Sequence, residues 1–168
     1  MKKGLIVALV AMMAFAGNAM AQKTIKLGHI DRAALLQIMP ERDSAEAAFQ
    51  RDAADLQAEI DAMVKEFETK YNDYIAKRDQ LSELIRKTKE NDLQTMNARI
   101  EEAKTTAQHQ LEERQAELLK PIIERIKNAI DEVGKENGYT YIFESGAVLY
   151  SQDSDDIMPL VKKKLGLK

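Results

Sequence analysis

The sequence has no cysteine and no tryptophan. Without a thiol there is no disulfide staple, no thiol catalysis and no cysteine-borne lipid at a processing site. Aromatic residues make up only 5% of the 168 residues, whereas charged residues make up 32%. Between Glu41 and Lys120 there is neither glycine nor proline, the two residues that most often punctuate a chain. No Gly-rich phosphate loop and no nucleophile elbow occur. Neither of the only two histidines, His29 and His109, has a neighbouring constellation of metal ligands. Acidic pairs such as Glu101-Glu102 read as solvated helix surface. No enzyme activity, cofactor or metal is therefore expected. The formal net charge is −3, and becomes −5 without Lys2 and Lys3. A nucleic-acid binder would be expected to be basic, so nucleic acid is not an expected partner.

Only Leu5 to Ala16 forms a long apolar run, and it is too short to span a bilayer comfortably. With the basic start at Lys2 and Lys3 and the small-x-small site Ala19-Met20-Ala21, it reads as a secretory signal peptide over residues 1–21. The remainder, 22–168, is long enough for one domain. In a bacterium with two membranes, its destination is the periplasm.

The pattern after residue 22 predicts an α+β, mainly α protein. A strand is expected over Thr24 to Ile30, with Ile25 and Leu27 on one face. Asp31 is placed to cap a short helix that ends at Pro40. The Gly- and Pro-free run is rich in strong helix formers. One heptad position takes Phe49, Leu56, Met63, Lys70, Lys77 and Leu84, the other Ala53, Ile60, Phe67, Tyr74 and Leu81. Nine of these eleven are apolar, which argues for a coiled coil in which Lys70 and Lys77 interrupt the seam. A thinner seam resumes at Leu93, Met96, Ile100, Ala103, Ala107, Leu111 and Leu118. Beyond Pro121 the apolar face widens to Ile122, Ile123, Ile126, Ala129, Ile130 and Val133, as for a helix facing a core. Gly134, Asn137 and Gly138 stop the helix. A strand pair, Tyr139 to Phe143 and Ala147 to Tyr150, is predicted around a Glu144-Ser145-Gly146 turn. A last helix follows over about Asp155 to Leu165, with Lys162 to Lys164 in its final turn.

Strands at both ends must meet if they pair, so the helical region has to double back. A single long antiparallel helical hairpin is predicted, each arm about 70 Å. The body comprises 22–40 and 122–168, and the arm 41–121. The turn is expected near the midpoint, 85–93, with Asn91 or Asp92 capping the returning helix. Pro121 removes a helix hydrogen bond and is the one place near the body where a bend is expected. One copy offers three short strands and little core, and exposed strand edges invite pairing. Oligomerisation through the body is expected, using Ile25, Leu27, Ile126, Ile130, Tyr139, Tyr141, Phe143, Val148 and Tyr150.

The order of segments is specific: "IKLGHID", "AALLQIMPE", a long charged hairpin, then "AIDEVGKENGYTYIFESGAVLYSQDSDDIMPLVKKKLG". It resembles the Skp/OmpH family of periplasmic chaperones over essentially the whole chain after residue 21. The generic arms carry little of that resemblance and the C-terminal pattern most of it. The resemblance implies a homotrimer with a barrel-like β core, from which hairpin arms enclose a cavity. It also implies that the cavity holds unfolded outer-membrane proteins without ATP. The chain departs from the best-known members, which are strongly basic. No lipopolysaccharide site built on basic residues can be matched onto it.

Charge is unevenly spread along the arm. Glu41 to Tyr74 holds ten acids and four bases, whereas Ile75 to Lys89 holds five bases and two acids. The basic group Lys77, Arg78, Arg86, Lys87 and Lys89 is a candidate contact for acidic clients or an anionic membrane surface. Met63, Phe67, Tyr71, Tyr74 and Met96 are candidate soft contacts for an unfolded client. Most of these also fit the seam, and Tyr71 lies off it. A structural coiled-coil spacer or adaptor of an export assembly fits the same arm.

Overall fold

The protein, as a computed structural model, is described over residues 25–167, so the signal-peptide reading of 1–21 lies outside the described residues. Strand β1 (Leu27–Ile30) leads into helix α1 (Arg32–Gln37). Asp31 caps α1, its side chain accepting from the Ala34 N–H at 2.8 Å. Helix α2 (Glu41–Lys77) runs out along the arm, and α3 (Glu83–Asn137) runs back and continues into the body. Strand β2 (Tyr141–Glu144) and helix α4 (Met158–Leu165) complete the fold. No described helix is long and apolar enough to cross a membrane.

The two strands pair in parallel, with Leu27 opposite Tyr141 and Ile30 opposite Glu144. A parallel pair needs a crossover connection. Here that connection is the entire arm. The chain reverses at 78–82, through a 3-10 turn (Arg78–Gln80), and not at 85–93, which is helical. Ser82, not Asn91 or Asp92, caps the returning helix, its hydroxyl facing the Ile85 N–H. The midpoint argument placed the turn too late because it counted the last turns of α3 as arm. At 37 residues, α2 gives an arm of about 55 Å, shorter than the expected 70 Å.

The core sits in the body and is built within one chain. Ile122, Ile126, Ala129 and Val133 from α3 pack with Ile30, Leu35, Met39, Ile157, Val161 and Leu165. Ile126, counted among the residues of an oligomer body, is buried in this core, whereas Ile123 on the same helix stays exposed. Gly28 is the tight point. A Cβ there would lie 2.8 Å from the Tyr139 ring and 2.9 Å from Ile157 Cγ2. α3 runs through Gly134 and Pro121, and ends with Gly138 in the left-handed conformation at φ 69°.

The predicted strand over Ala147 to Tyr150 does not form. Ser145–Ala147 makes a 3-10 turn that leads the chain away from β2. Among the described residues only Gly138 and Gly166 have positive φ, so Gly146 does not supply the tight hairpin turn. The chain returns to the sheet later, where the Ile157 N–H donates to the His29 carbonyl at 3.0 Å. The last helix begins at Met158, after Asp155 and Asp156, and the Asp156 carboxylate accepts from the Met158 N–H at 2.8 Å.

Lys164 ties α4 to α3 through Glu132 (2.8 Å) and Glu136 (2.6 Å). Its hydrogen bond and charge hold the Glu132 carboxyl below the usual carboxylate range. A carboxyl lowered in the folded state contributes stability above its unfolded value of 4.5 and loses it as pH falls through the lowered value. Glu132→Gln should therefore cost a little thermal stability at neutral pH. The gap from the parent should close as pH falls below about 5, and shrink in high salt because the pair is exposed. Melting curves at three pH values check this. Gly28→Ala should lower stability by about 1–3 kcal/mol, because overpacking against the Tyr139 ring outweighs the smaller entropic gain of alanine. Urea unfolding at fixed protein concentration measures it.

Candidate functional site

The arm and the outer face of the sheet hold the sequence-predicted site residues. Along the arm the α2–α3 seam is only partly closed. Phe49, Ala53, Leu56, Ile60, Met63 and Phe67 are half-buried, as are Leu93, Met96 and Ala103. Only Tyr74, Ile100 and Ala107 are fully covered there. Small residues on α3 leave shallow grooves on both sides of the contact. Met63 lines one of them with Leu56, Ile60, Ala103 and Ala107. Met96 lines another with Lys70, Asp73, Tyr74, Lys89 and Leu93. Phe67 stacks on Tyr71 at 6.0 Å between ring centroids. Tyr71 is 46% exposed, whereas Tyr74 is 6% exposed.

Tyr74 is therefore a packing residue in this chain. Its hydroxyl donates to Glu90 across the hairpin. That bond, then burial, pushes the phenol above its ordinary value. Lys70 and Lys77, the interruptions of the seam, lie exposed and pair with Glu66 and Asp73 one turn earlier. Leu84, counted as a seam residue, lies beyond the turn and is 76% exposed.

The five basic residues at the tip divide in two. Lys77 pairs with Asp73, and Lys89 lies 3.9 Å from the same carboxylate. The Lys77 hydrogen bond, followed by weaker charge effects of Lys77 and Lys89, holds Asp73 below the ordinary carboxylate range against some burial. Arg86 donates to the Leu81 carbonyl at 3.4 Å and so braces the turn. Arg78 and Lys87 are exposed. Sequence reasoning missed Ile75, Leu84 and Ile85 as exposed apolar residues of the tip. The available signal was Ser82, one of only two serines in the Gly- and Pro-free run and a strong N-cap former.

In the body, Ile126 is buried in the core of its own chain, and Ile130 and Tyr139 are half-buried against that core. Ile25, Leu27, Tyr141 and Phe143 are between 45% and 66% exposed. The register puts Leu27 beside Tyr141 and His29 beside Phe143. His29 Nδ1 lies 2.9 Å from the Ser145 hydroxyl, while its Nε2 is covered and has no partner. The sheet thus turns an uncovered apolar and aromatic face outward. Val148 is half-buried, but Leu149 and Tyr150 project fully or nearly so. Among the described residues no group of three His, Asp or Glu side chains could hold a metal ion.

Comparison with known proteins bears on this arrangement. The fold is similar to the crystal structure of a candidate outer membrane chaperone (OmpH-like) from Caulobacter crescentus, with a TM-score of 0.73. The similarity covers 84% of this chain and 83% of that one, at 13% identity, and so speaks for the fold alone. No curated protein sequence matches significantly. Residues 26–165 match the family described as outer membrane protein (OmpH-like), from the first strand to the last helix. The chain belongs to the OmpH-like family.

Proposed function

We propose that this protein is a periplasmic, ATP-independent holdase that binds unfolded outer-membrane proteins between helical arms and keeps them from aggregating. Copies join through the body, three at a time as in the family resemblance. The uncovered sheet face of Ile25, Leu27, Tyr141 and Phe143 is the surface of one copy suited to meet another. The projecting Leu149 and Tyr150 are a second apolar element suited to a neighbouring copy.

The observation that carries the proposal is the half-closed seam of the arm. Met63, Phe67 and Met96 are covered enough to be held in place and open enough to touch a partner. With Tyr71 they offer polarizable and aromatic contacts with no defined pocket. An unfolded β-barrel chain presents alternating apolar side chains in no fixed shape. Weak, adaptable contacts suit such a client better than a complementary cleft. The acidic shaft, with ten acids against four bases over Glu41 to Tyr74, keeps the arms soluble and mutually repulsive.

The test is dilution of a urea-denatured outer-membrane β-barrel protein into buffer containing this protein, without nucleotide. Suppression of light scattering at a stoichiometric oligomer concentration is expected. Undiminished scattering would leave the arm as a structural spacer or adaptor.

A further inference from the structure

We propose that the shaft of the arm selects cationic clients: unfolded segments in which lysine or arginine alternates with apolar residues dock in the groove lined by Leu56, Ile60 and Met63. This deepens the holdase reading and rests on it, because it names the chemistry of the client.

The acidity of the chain is confined to the shaft. Residues 41–74 carry ten acids and four bases, and residues 90–120 carry seven acids and four bases, a net of −9 for the two together. The tip between them, 75–89, is positive, with five bases and two acids. The body is close to neutral, with ten bases and nine acids over 22–40 and 121–168. Charge needed only for solubility has no reason to gather on the one region that carries the seam grooves.

The groove lies inside this acidic stretch. Leu56, Ile60 and Met63 of α2 face Ala103 and Ala107 of α3 across it. The two alanines leave room above the half-buried side chains of α2. One carboxylate from each helix also lines the groove, Glu59 from α2 and Glu102 from α3. Both residues are exposed. The neighbouring bases are engaged elsewhere, Lys104 by Glu101 and Arg114 by Asp52 and Glu117. Asp55, one turn before Glu59 on the same flank of α2, is exposed as well. The one cation lining the groove is Arg99, which also lines the next groove toward the tip.

An apolar floor between two carboxylates matches a lysine or arginine side chain better than a purely apolar one. The aliphatic stem lies along Leu56, Ile60 and Met63 while the charged head reaches Glu59 or Glu102 at the rim. The flexible Met63 adapts to stems of different length. Each exposed pair is weak and screened by salt, so selection comes from several pairs along the shaft and from its summed field. An acidic client meets the same apolar floor against a net repulsion.

Three fluorescent, unstructured peptides of equal length test this, with identical apolar residues interleaved with lysine, serine or glutamate. Each is titrated with the chain from residue 22 onward and binding is read by anisotropy. At low salt the lysine peptide should bind about tenfold more tightly than the serine peptide, and the glutamate peptide more weakly than either. The three should converge as salt is raised. The serine peptide reads the apolar contact alone, and with it the holdase reading, whereas the lysine-to-serine ratio reads the proposal. Glu59→Gln/Glu102→Gln should cut that ratio about threefold. Glu68→Gln/Glu113→Gln removes the same charge from exposed positions outside the groove and should cut it less. Both variants should melt like the parent. Equal binding of the lysine and serine peptides overturns the proposal and leaves the holdase reading standing, whereas no binding of any peptide overturns both. Equal losses in the two variants overturn the groove as the place of selection, and the proposal with it. So does salt-sensitive self-association that shuts out the lysine peptide at low salt, which would seat the basic tip of a second copy in the groove.

Discussion

The parallel pairing of β1 with β2 is the constraint on which the remaining structure depends. Two parallel strands cannot be joined by a tight turn. The chain leaves the sheet at the Ile30 end of β1 and must come back to the opposite end, where Lys26 meets Asn137, before it enters β2. A helical hairpin does this while the sequence supplies nothing to stop a helix between Glu41 and Ser82. The pairing is held where α3 meets the sheet. The Lys26 ammonium donates to the Asn137 carbonyl at 2.9 Å and lies 4.1 Å from the centre of the Tyr139 ring. The Lys26 carbonyl accepts from the Thr140 N–H at 2.7 Å. Gly28 allows Tyr139 and Ile157 to close over β1. The arm is rigidly rooted because its returning helix is also the main helix of the core.

That shared helix explains what was legible in the sequence and what was not. The hairpin, the Asp31 cap and the isoleucine face beyond Pro121 follow from local chemistry: helix propensity, capping and apolar spacing. The position of the turn does not, because Arg78-Asp79-Gln80 is as polar as the helix around it. Only Ser82 marks it. The missing second strand has a different cause. Ala147 to Tyr150 has strand composition, but strands need a partner, and in one copy β1 is already occupied by β2 and by the chain at Ile157. Leu149 and Tyr150 are left in solvent. Among the site residues, the heptad separated the covered tyrosine from the open one: Tyr74 falls on the seam and is buried, Tyr71 falls off it and is exposed.

The features of this arrangement are divided by distance. The body holds the core and an uncovered sheet face. The shaft has grooves and half-covered side chains in place of a pocket. The tip concentrates exposed apolar residues and positive charge. Each region uses the same few residue types, and their degree of burial decides what they do. A methionine in the core would be packing. The same residue half-covered on the shaft keeps part of its flexible, polarizable side chain open to contact.

The central claim is that copies of this chain assemble through their bodies so that the arms enclose a client. Native mass spectrometry, alone and with a denatured outer-membrane β-barrel protein, tests it most directly. The account predicts a trimer that takes up one client chain. A persistent monomer, with or without the client, would contradict it.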